Sequence, residues 1–99
     1  MRACKIDRNQ PAVVKALRKA GCSVQILSAV GKGCPDLAVG FLGITTMVEV
    51  KDGEAPKSQR KLTPDQVKWH RDWQGCVMIV ESAEQAVRLI TMQEMEEIE

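Results

Sequence analysis

Two carboxylates and a lysine stand at the ends of two neighbouring segments with β-strand patterns. Asp36 comes directly before the apolar segment 37–41, while Glu49 lies near the end of the β-branched segment 44–50 and Lys51 directly follows it. A two-residue turn at 42–43 pairs the two segments so that Asp36 faces Glu49. Directly opposed side chains have Cβ atoms ~5 Å apart, and two negative charges at that spacing repel unless a cation lies between them. The spacing therefore predicts a site for a divalent cation such as Mg²⁺.

Lys51 lies on the same strand face as Glu49, because side chains two residues apart point the same way. Val48 and Val50 occupy the opposite face and are predicted to turn toward the core. Two carboxylates, a divalent metal and an ammonium suit phosphodiester hydrolysis: the metal polarises a phosphoryl oxygen, and the lysine stabilises developing negative charge. The alternative is a surface ion pair between Glu49 and Lys51, with Asp36 capping a turn.

The elements that must position these residues follow from hydrophobic periodicity and from capping signals. The predicted order is α-β-β-β-α-β-α: a helix at about 9–20, a strand at 23–27, hairpin strands at 37–41 and 44–50, a helix from 63 to about 73, a strand at 76–80 and a last helix from 82. The last strand-helix-strand unit needs a crossover, which predicts a mixed sheet with helices on its faces. Segment 51–61 is polar and aperiodic and predicts a mobile loop.

The second predicted helix carries residues with both structural and functional interpretations. Thr63 and Gln66 match a capping box, which by itself accounts for Gln66. Trp69 and Trp73 are spaced i, i+4, a pattern that favours core packing or an interface over contact with a base. His70 is expected to face solvent rather than to act as a general base.

Charge is distributed unevenly along the chain. Residues 1–71 carry 13 Lys or Arg against 6 Asp or Glu, whereas residues 72–99 carry 1 against 7. The first part can therefore face a polyanion. Lys32, Lys57, Arg60 and Lys61 lie in two loops beside the predicted site, either as phosphate contacts or as solvated charge. An aromatic content of 3% argues against recognition by base stacking, so nucleic-acid contacts are expected to be mainly with phosphates.

The length of 99 residues, with 44% hydrophobic and 27% charged residues, predicts a single domain with a core at about 9–91 and a short acidic tail at 92–99. No stretch has the apolar length of a membrane span or a signal peptide, so a cytoplasmic protein is expected. Cys4, Cys22, Cys34 and Cys76 lack the spacing of a zinc site and are expected to be free buried thiols.

Three ordered motifs carry a family resemblance. Segment 33–37 (GCPDL), segment 49–51 (EVK) and segment 62–66 (LTPDQ) resemble the PD-(D/E)XK nucleases, and among these the small VRR-NUC group, which looks like the Holliday-junction resolvases. The resemblance implies an α/β fold with an αβββαβ(α) restriction-endonuclease-like core. It also implies that Asp36, Glu49 and the carbonyl of Val50 bind Mg²⁺, which Mn²⁺ can replace. In the family the lysine matching Lys51 orients the water or stabilises the transition state, and the glutamine matching Gln66 reaches back toward the site.

The resulting expectation is a metal-dependent, structure-selective DNA endonuclease, acting at branched DNA as a homodimer in a bacterial or phage-infected cell. One departure from the family concerns the first helix, where many relatives have an acidic residue. Here the segment offers Asn9 and Gln10, with Asp7 as the nearby carboxylate. Asn9 or Gln10 can hold a metal-bound water, but each is equally well explained as a helix-start residue. Two alternatives are a non-catalytic nucleic-acid-binding module and a protein-interaction domain that uses the tryptophans and the acidic tail.

Overall fold

A computed structural model describes the backbone of residues 6–98 and the side chains of residues 6–92. The elements are α1 (Gln10–Lys19), β1 (Ser23–Ile26), β2 (Leu37–Phe41), β3 (Ile44–Val50), a 3₁₀ turn (Lys57–Gln59), α2 (Pro64–Asp72), β4 (Val77–Val80) and α3 (Ala83–Ile98). Their order is the predicted α-β-β-β-α-β-α. Cys4 and the side chains of the acidic tail beyond residue 92 lie outside the described residues.

The four strands form one mixed sheet in the order β1-β2-β3-β4. β1 and β2, and likewise β2 and β3, pair antiparallel, whereas β3 and β4 pair parallel. Phe41 pairs with Ile44 across the hairpin, which confirms the register predicted from the turn. Both turn residues have positive φ, 49° at Leu42 and 85° at Gly43, as in the primed turns that match the twist of a hairpin. Leu42 thus adopts the left-handed region at the tip of a hairpin that the sheet holds in place on both sides.

One face of the sheet carries the core. Val48 and Val50 of β3 lie on this face and are fully buried, as the strand alternation predicts. α1 and α3 cover it with apolar side chains at helical spacing. The buried cluster consists of Val13, Val14, Leu17, Cys22, Leu37, Val39, Val48, Val50, Val80, Ala86 and Ile90.

α2 connects β3 to the parallel strand β4 and contributes no buried residue. Its N-terminus touches the loop that precedes β2. A Cβ on Gly33, which has φ +83°, would overlap the carbonyl of Asp65 and lie 2.9 Å from the nitrogen of Gln66. Glycine at position 33 is therefore required both by its backbone conformation and by the close approach of α2.

Segment 51–61, predicted to be a mobile loop, contains the 3₁₀ turn Lys57–Gln59, and the Asp52 carboxylate accepts a 2.7 Å hydrogen bond from Arg8 Nε. The expectation for the cysteines is corrected. The three described cysteines are free, but only Cys22 is buried, whereas Cys34 is half-buried and Cys76 is exposed. Between residues 6 and 98 no helix combines the length and the hydropathy that a membrane crossing requires.

Candidate active site

Asp36 and Glu49 meet at the open end of the β2–β3 hairpin. The Asp36 Oδ2 atom accepts a 2.8 Å hydrogen bond from the backbone nitrogen of Val50, which places the Asp36 carboxylate beside Glu49. Glu49 is only 2% exposed, and its Oε1 atom has no hydrogen-bond partner among the described residues. Two ionised carboxylates offer only acceptors to each other, so the pair is favourable only when a proton or a cation lies between its oxygens.

The electrostatics of Glu49 show the cost of this arrangement. Burial, and after it the neighbouring Asp36 carboxylate, raise the pKa of Glu49 to about 8, although the ammonium of Lys51 acts in the opposite direction. The charge of Asp7 adds to the increase, so a third carboxylate lies close enough to interact with Glu49. A carboxylate kept from ionising by desolvation and like charge is stabilised in its ionised form when a cation binds.

Lys51 and Gln66 complete the cluster. The Lys51 Nζ atom lies 3.9 Å from Glu49 Oε2 and donates a 2.9 Å hydrogen bond to Gln66 Oε1. The amide nitrogen of Gln66 in turn donates a 3.1 Å hydrogen bond to Glu49 Oε2. Lys51 is only 7% exposed, so its ammonium is held at a fixed place beside the carboxylates rather than moving freely in solvent.

The position of Gln66 follows from the capping box predicted at the start of α2, which is confirmed. The Thr63 hydroxyl accepts a hydrogen bond from the Gln66 backbone nitrogen at 3.2 Å, and Gln66 Oε1 accepts one from the Thr63 backbone nitrogen at 2.9 Å. Gln66 Oε1 therefore accepts hydrogen bonds from the helix start and from Lys51 at once. The capping role of Gln66 is therefore compatible with the contact that its side chain makes with Lys51 and Glu49.

The start of α1 supports the site in a way that the sequence does not reveal. Asn9 is expected to be a helix-start residue, but its side chain caps no backbone nitrogen. Instead Asn9 Nδ2 donates hydrogen bonds to the carbonyls of Lys51 at 3.0 Å and Glu81 at 3.2 Å, tying α1 to the ends of β3 and β4. Gln10 is 4% exposed and donates a 3.0 Å hydrogen bond to Ser28 Oγ. The amide nitrogens of both residues thus bind neighbouring segments, whereas Asn9 Oδ1 and Gln10 Oε1 are buried without a hydrogen-bond partner among the described residues.

The basic residues predicted near the site fall into two groups. Lys32, Lys57 and Lys61 are exposed. Arg60 is half-buried, and its Nη1 atom lies 3.4 Å from Glu81 Oε2. Arg60 therefore links the segment between β3 and α2 to Glu81 at the end of β4. The three lysines are instead open to solvent.

His70 does not face solvent as expected. It is half-buried, and its Nε2 atom is buried without a hydrogen-bond partner among residues 6–92. Desolvation, and after it the charge of Lys51, lower the pKa of His70, so its imidazole is neutral near pH 7. The signal for this position is its spacing: His70 is four residues after Gln66 and shares the helix face that meets the sheet.

The donor set fits a hard divalent cation. Within the described part of the chain no group of three or more His, Cys, Asp or Glu side chains is arranged to hold a metal. Two adjacent carboxylates, one with an unpartnered buried oxygen, nevertheless match the ligand preference of Mg²⁺, which uses one or two carboxylates and keeps several waters. The site is thus suited to Mg²⁺ rather than to zinc, which prefers a closed set of Cys and His.

The fold of this chain is similar to that of a known protein domain. The chain is similar to a solved structure described as a VRR_NUC domain, with a TM-score of 0.63 and 32% sequence identity, covering 85% of this chain and 91% of that one. No family model matches the chain. No curated protein matches it either.

Proposed function

Because the chain belongs to the VRR-NUC group of the PD-(D/E)XK nucleases, we propose that it is a Mg²⁺-dependent, structure-selective DNA endonuclease. One observation carries the proposal: Glu49 is buried beside Asp36 with an unpartnered oxygen, and the ammonium of Lys51 is held next to it. Such a cluster is unfavourable in a merely structural role, because each buried charge costs free energy. Its chemistry suits the hydrolysis of a phosphodiester.

In this proposal the carboxylates of Asp36 and Glu49 and the carbonyl of Val50 hold Mg²⁺ or Mn²⁺. Asp36 already accepts the Val50 N–H, so the three groups lie at one end of the hairpin. A bound divalent cation supplies Lewis-acid polarisation of the phosphodiester and lowers the pKa of an attacking water.

Lys51 is proposed to act on the phosphate, and Gln66 is proposed to act through Lys51 and Glu49. The Lys51 ammonium stabilises the negative charge that builds on the phosphoryl oxygens during attack. Gln66 is the proposed positioning residue, because it accepts from Lys51 and donates to Glu49 and so fixes their separation. Low exposure of Glu49 and Lys51 keeps bulk water from screening the interaction.

The proposed DNA contacts are Lys32, Lys57, Arg60 and Lys61. The three lysines have exposed ammonium groups in the loops before and after the site, as phosphate contacts require. Arg60 must exchange or share its ion pair with Glu81 to reach a phosphate. We therefore expect the lysines to contribute more to DNA affinity than Arg60.

We propose branched DNA, such as a Holliday junction, as the substrate, and a homodimer as the active form. A chain with one such centre cuts two strands symmetrically only as a pair of copies. We propose that the protein acts in the cytoplasm of a bacterial or phage-infected bacterial cell, where the DNA lies. Sedimentation analysis tests the dimer: a monomer that still makes paired nicks in a four-way junction contradicts it.

The catalytic proposal is tested by incubating junction, flap, single-stranded and blunt duplex DNA with Mg²⁺, Mn²⁺ or EDTA. We expect cleavage with either metal, none in EDTA, and loss of cleavage in Glu49→Gln and in Lys51→Ala. Lys15→Ala removes an exposed lysine from α1 and is the matched control, which should cleave like the wild type. Retained cleavage in both site variants, or DNA binding without any cleavage by the wild type, contradicts the proposal.

A further inference from the structure

Two tryptophans lie at the surface of α2 without a partner in the core. Trp73 is 42% exposed and Trp69 is half-buried, and neither belongs to the buried cluster. Their rings stack on each other, with centroids 4.6 Å apart and an interplanar angle of 20°. Of the two roles expected for the pair, packing into the core is therefore wrong, and contact with an external binding partner remains.

The ring pair is held in a fixed orientation. A Cβ on Gly75 would lie 2.9 Å from Trp73 Nε1, so the absence of a side chain at position 75 leaves room for the Trp73 indole. The other ring, that of Trp69, meets His70 edge to face, with centroids 6.1 Å apart and an angle of 71°. A preformed aromatic surface loses little conformational entropy when a flat ligand stacks on it.

A cavity of about 210 Å³ lies beside the two rings and is lined by Lys32, Asp65, Lys68, Trp69, Asp72 and Trp73. Its volume is below the roughly 300–1,000 Å³ of a small-molecule site, so it suits one planar group rather than a whole ligand. Asp72 is neutralised by Lys68 at 3.4 Å and by Arg71 at 3.1 Å. Lys32, which forms no ion pair within the described residues, adds positive charge at the rim.

The rings lie close to the catalytic cluster because α2 carries both. Gln66, at the start of the helix, contacts Glu49 and Lys51. At ~1.5 Å rise per residue, Trp69 and Trp73 follow Gln66 by about 5 and 10 Å along the helix. This distance corresponds to about one to three base steps of ~3.4 Å.

We propose that Trp69 and Trp73 bind an unpaired nucleobase of the DNA substrate by stacking, with Lys32 beside the adjoining phosphate. The inference rests on the proposed nuclease function and adds a source of selectivity to it. A base within a continuous duplex is already stacked on its neighbours, whereas a base at a branch or a single-stranded end is free to stack on the rings. Although the chain has few aromatic residues, two of them form this one surface.

Intrinsic fluorescence provides a direct test, because the chain contains two tryptophans, both in this pair, and no tyrosine. Wild-type protein in EDTA is titrated separately with a ten-nucleotide oligo-dT, a blunt duplex and heparin. Binding is measured in parallel from the fluorescence anisotropy of a labelled DNA probe, or from the loss of that anisotropy when an unlabelled ligand competes with the probe. We expect oligo-dT to quench the emission strongly at saturation, and heparin and blunt duplex to bind with little quenching. Equal quenching by heparin overturns the proposal, because heparin has charge but no bases.

Variants separate stacking from charge. Trp73→Ala should weaken oligo-dT binding about 5- to 100-fold, the effect of losing one stacked base, and heparin binding should not change. Trp73→Phe keeps a stacking ring and should stay within about 5-fold of the wild type. Val67→Ala, which truncates another exposed apolar side chain of the same helix, is the matched control. If Trp73→Ala binds oligo-dT like this control, the proposal is wrong.

Failure of this inference is distinguishable from failure of the proposed function. Mg²⁺-dependent cleavage of junction DNA, together with oligo-dT binding that leaves the fluorescence unchanged, overturns the stacking site and leaves the nuclease intact. Absence of both cleavage and DNA binding overturns both. A gain in cleavage of branched over blunt DNA that disappears in Trp73→Ala and persists in Trp73→Phe supports the stacking site.

Discussion

Replacing Glu49 by Gln should make the metal-free protein more stable while abolishing the proposed activity. Glutamine has the shape of a protonated glutamate, and its amide oxygen can still accept the hydrogen bond from Gln66. The substitution removes the charge that burial and Asp36 disfavour. A carboxylate retained for catalysis should therefore cost stability when no cation is bound.

The magnitude and its pH dependence follow from the pKa of Glu49, raised from 4.5 to about 8. Below pH 4.5 the residue is protonated in both the folded and the unfolded chain, and the two proteins should be equally stable. Between pH 4.5 and 8 the unfolded chain releases the proton and the folded protein keeps it, so wild-type stability falls as pH rises. At pH 7 this amounts to about 3 kcal/mol, with a maximum of about 4–5 kcal/mol above pH 8.

Urea unfolding in EDTA at pH 5, 6, 7 and 8 measures this difference between the variant and the wild type. Because 1 kcal/mol corresponds to about 4–8 °C in Tm for a domain of this size, thermal unfolding at pH 7 should show a higher Tm for the variant by 10 °C or more. Mg²⁺ should stabilise the wild type and leave the variant unchanged. Glu84→Gln, at an exposed glutamate, is the control. A stability difference that is the same at pH 5 and pH 8 would refute the reasoning.

Three further substitutions test how the site is held. Gln66→Ala should lower kcat about 10- to 100-fold with little change in KM, because it removes the hydrogen bonds to Lys51 and Glu49. The control Thr63→Ala should lower the free energy of unfolding by about 1 kcal/mol through the lost helix cap and keep the wild-type kcat. Equal kcat values for the two variants would contradict the positioning role of Gln66. Gly33→Ala should reduce both stability and cleavage, because the added Cβ displaces the start of α2. The control Gly21→Ala, also at positive φ but with open space around it, should lower the free energy of unfolding by only about 1–2 kcal/mol and retain cleavage. Identical losses in urea unfolding and in cleavage would show that backbone strain alone matters. Asn9→Ala should destabilise the protein by about 1–3 kcal/mol in urea unfolding, because it removes two hydrogen bonds that join α1 to β3 and β4; an unchanged midpoint would show that these bonds contribute nothing.

Short-range patterns were sufficient to predict the element order and the hairpin register. The turn at 42–43 and the strand alternation placed Asp36 opposite Glu49, because in a hairpin one turn determines every later pair. The capping box at Thr63 and Gln66 was likewise visible, since its two hydrogen bonds join residues three apart. These features depend on neighbours in sequence.

Long-range placement was not predictable in the same way. Asn9 has the residue type of a helix cap, but its partners are carbonyls 42 and 72 residues away, which no local pattern encodes. The burial of His70 and the exposure of Trp73 depend on how α2 lies against the sheet. Helical spacing assigns these residues to one face of α2, but it does not show that this helix lacks a buried apolar side chain.

That property of α2 connects stability to chemistry. A helix that buries no apolar side chain gains little from the hydrophobic effect, so its polar contacts and close approaches decide where it lies. The contacts of Gln66 with Glu49 and Lys51, and the approach of Asp65 to Gly33, are at the helix start, where the proposed catalytic groups also lie. Neutralising Glu49 is thus expected to relieve an electrostatic cost while keeping the amide contact that holds α2. Truncating Gln66 has the opposite effect, because the free-energy cost of burying Glu49 stays and the hydrogen bond to it is lost. At pH 7 Glu49→Gln should therefore stabilise the protein and Gln66→Ala should destabilise it, although both impair cleavage. This difference in sign distinguishes a cluster arranged for catalysis from an ordinary buried ion pair, where loss of a charged partner is destabilising.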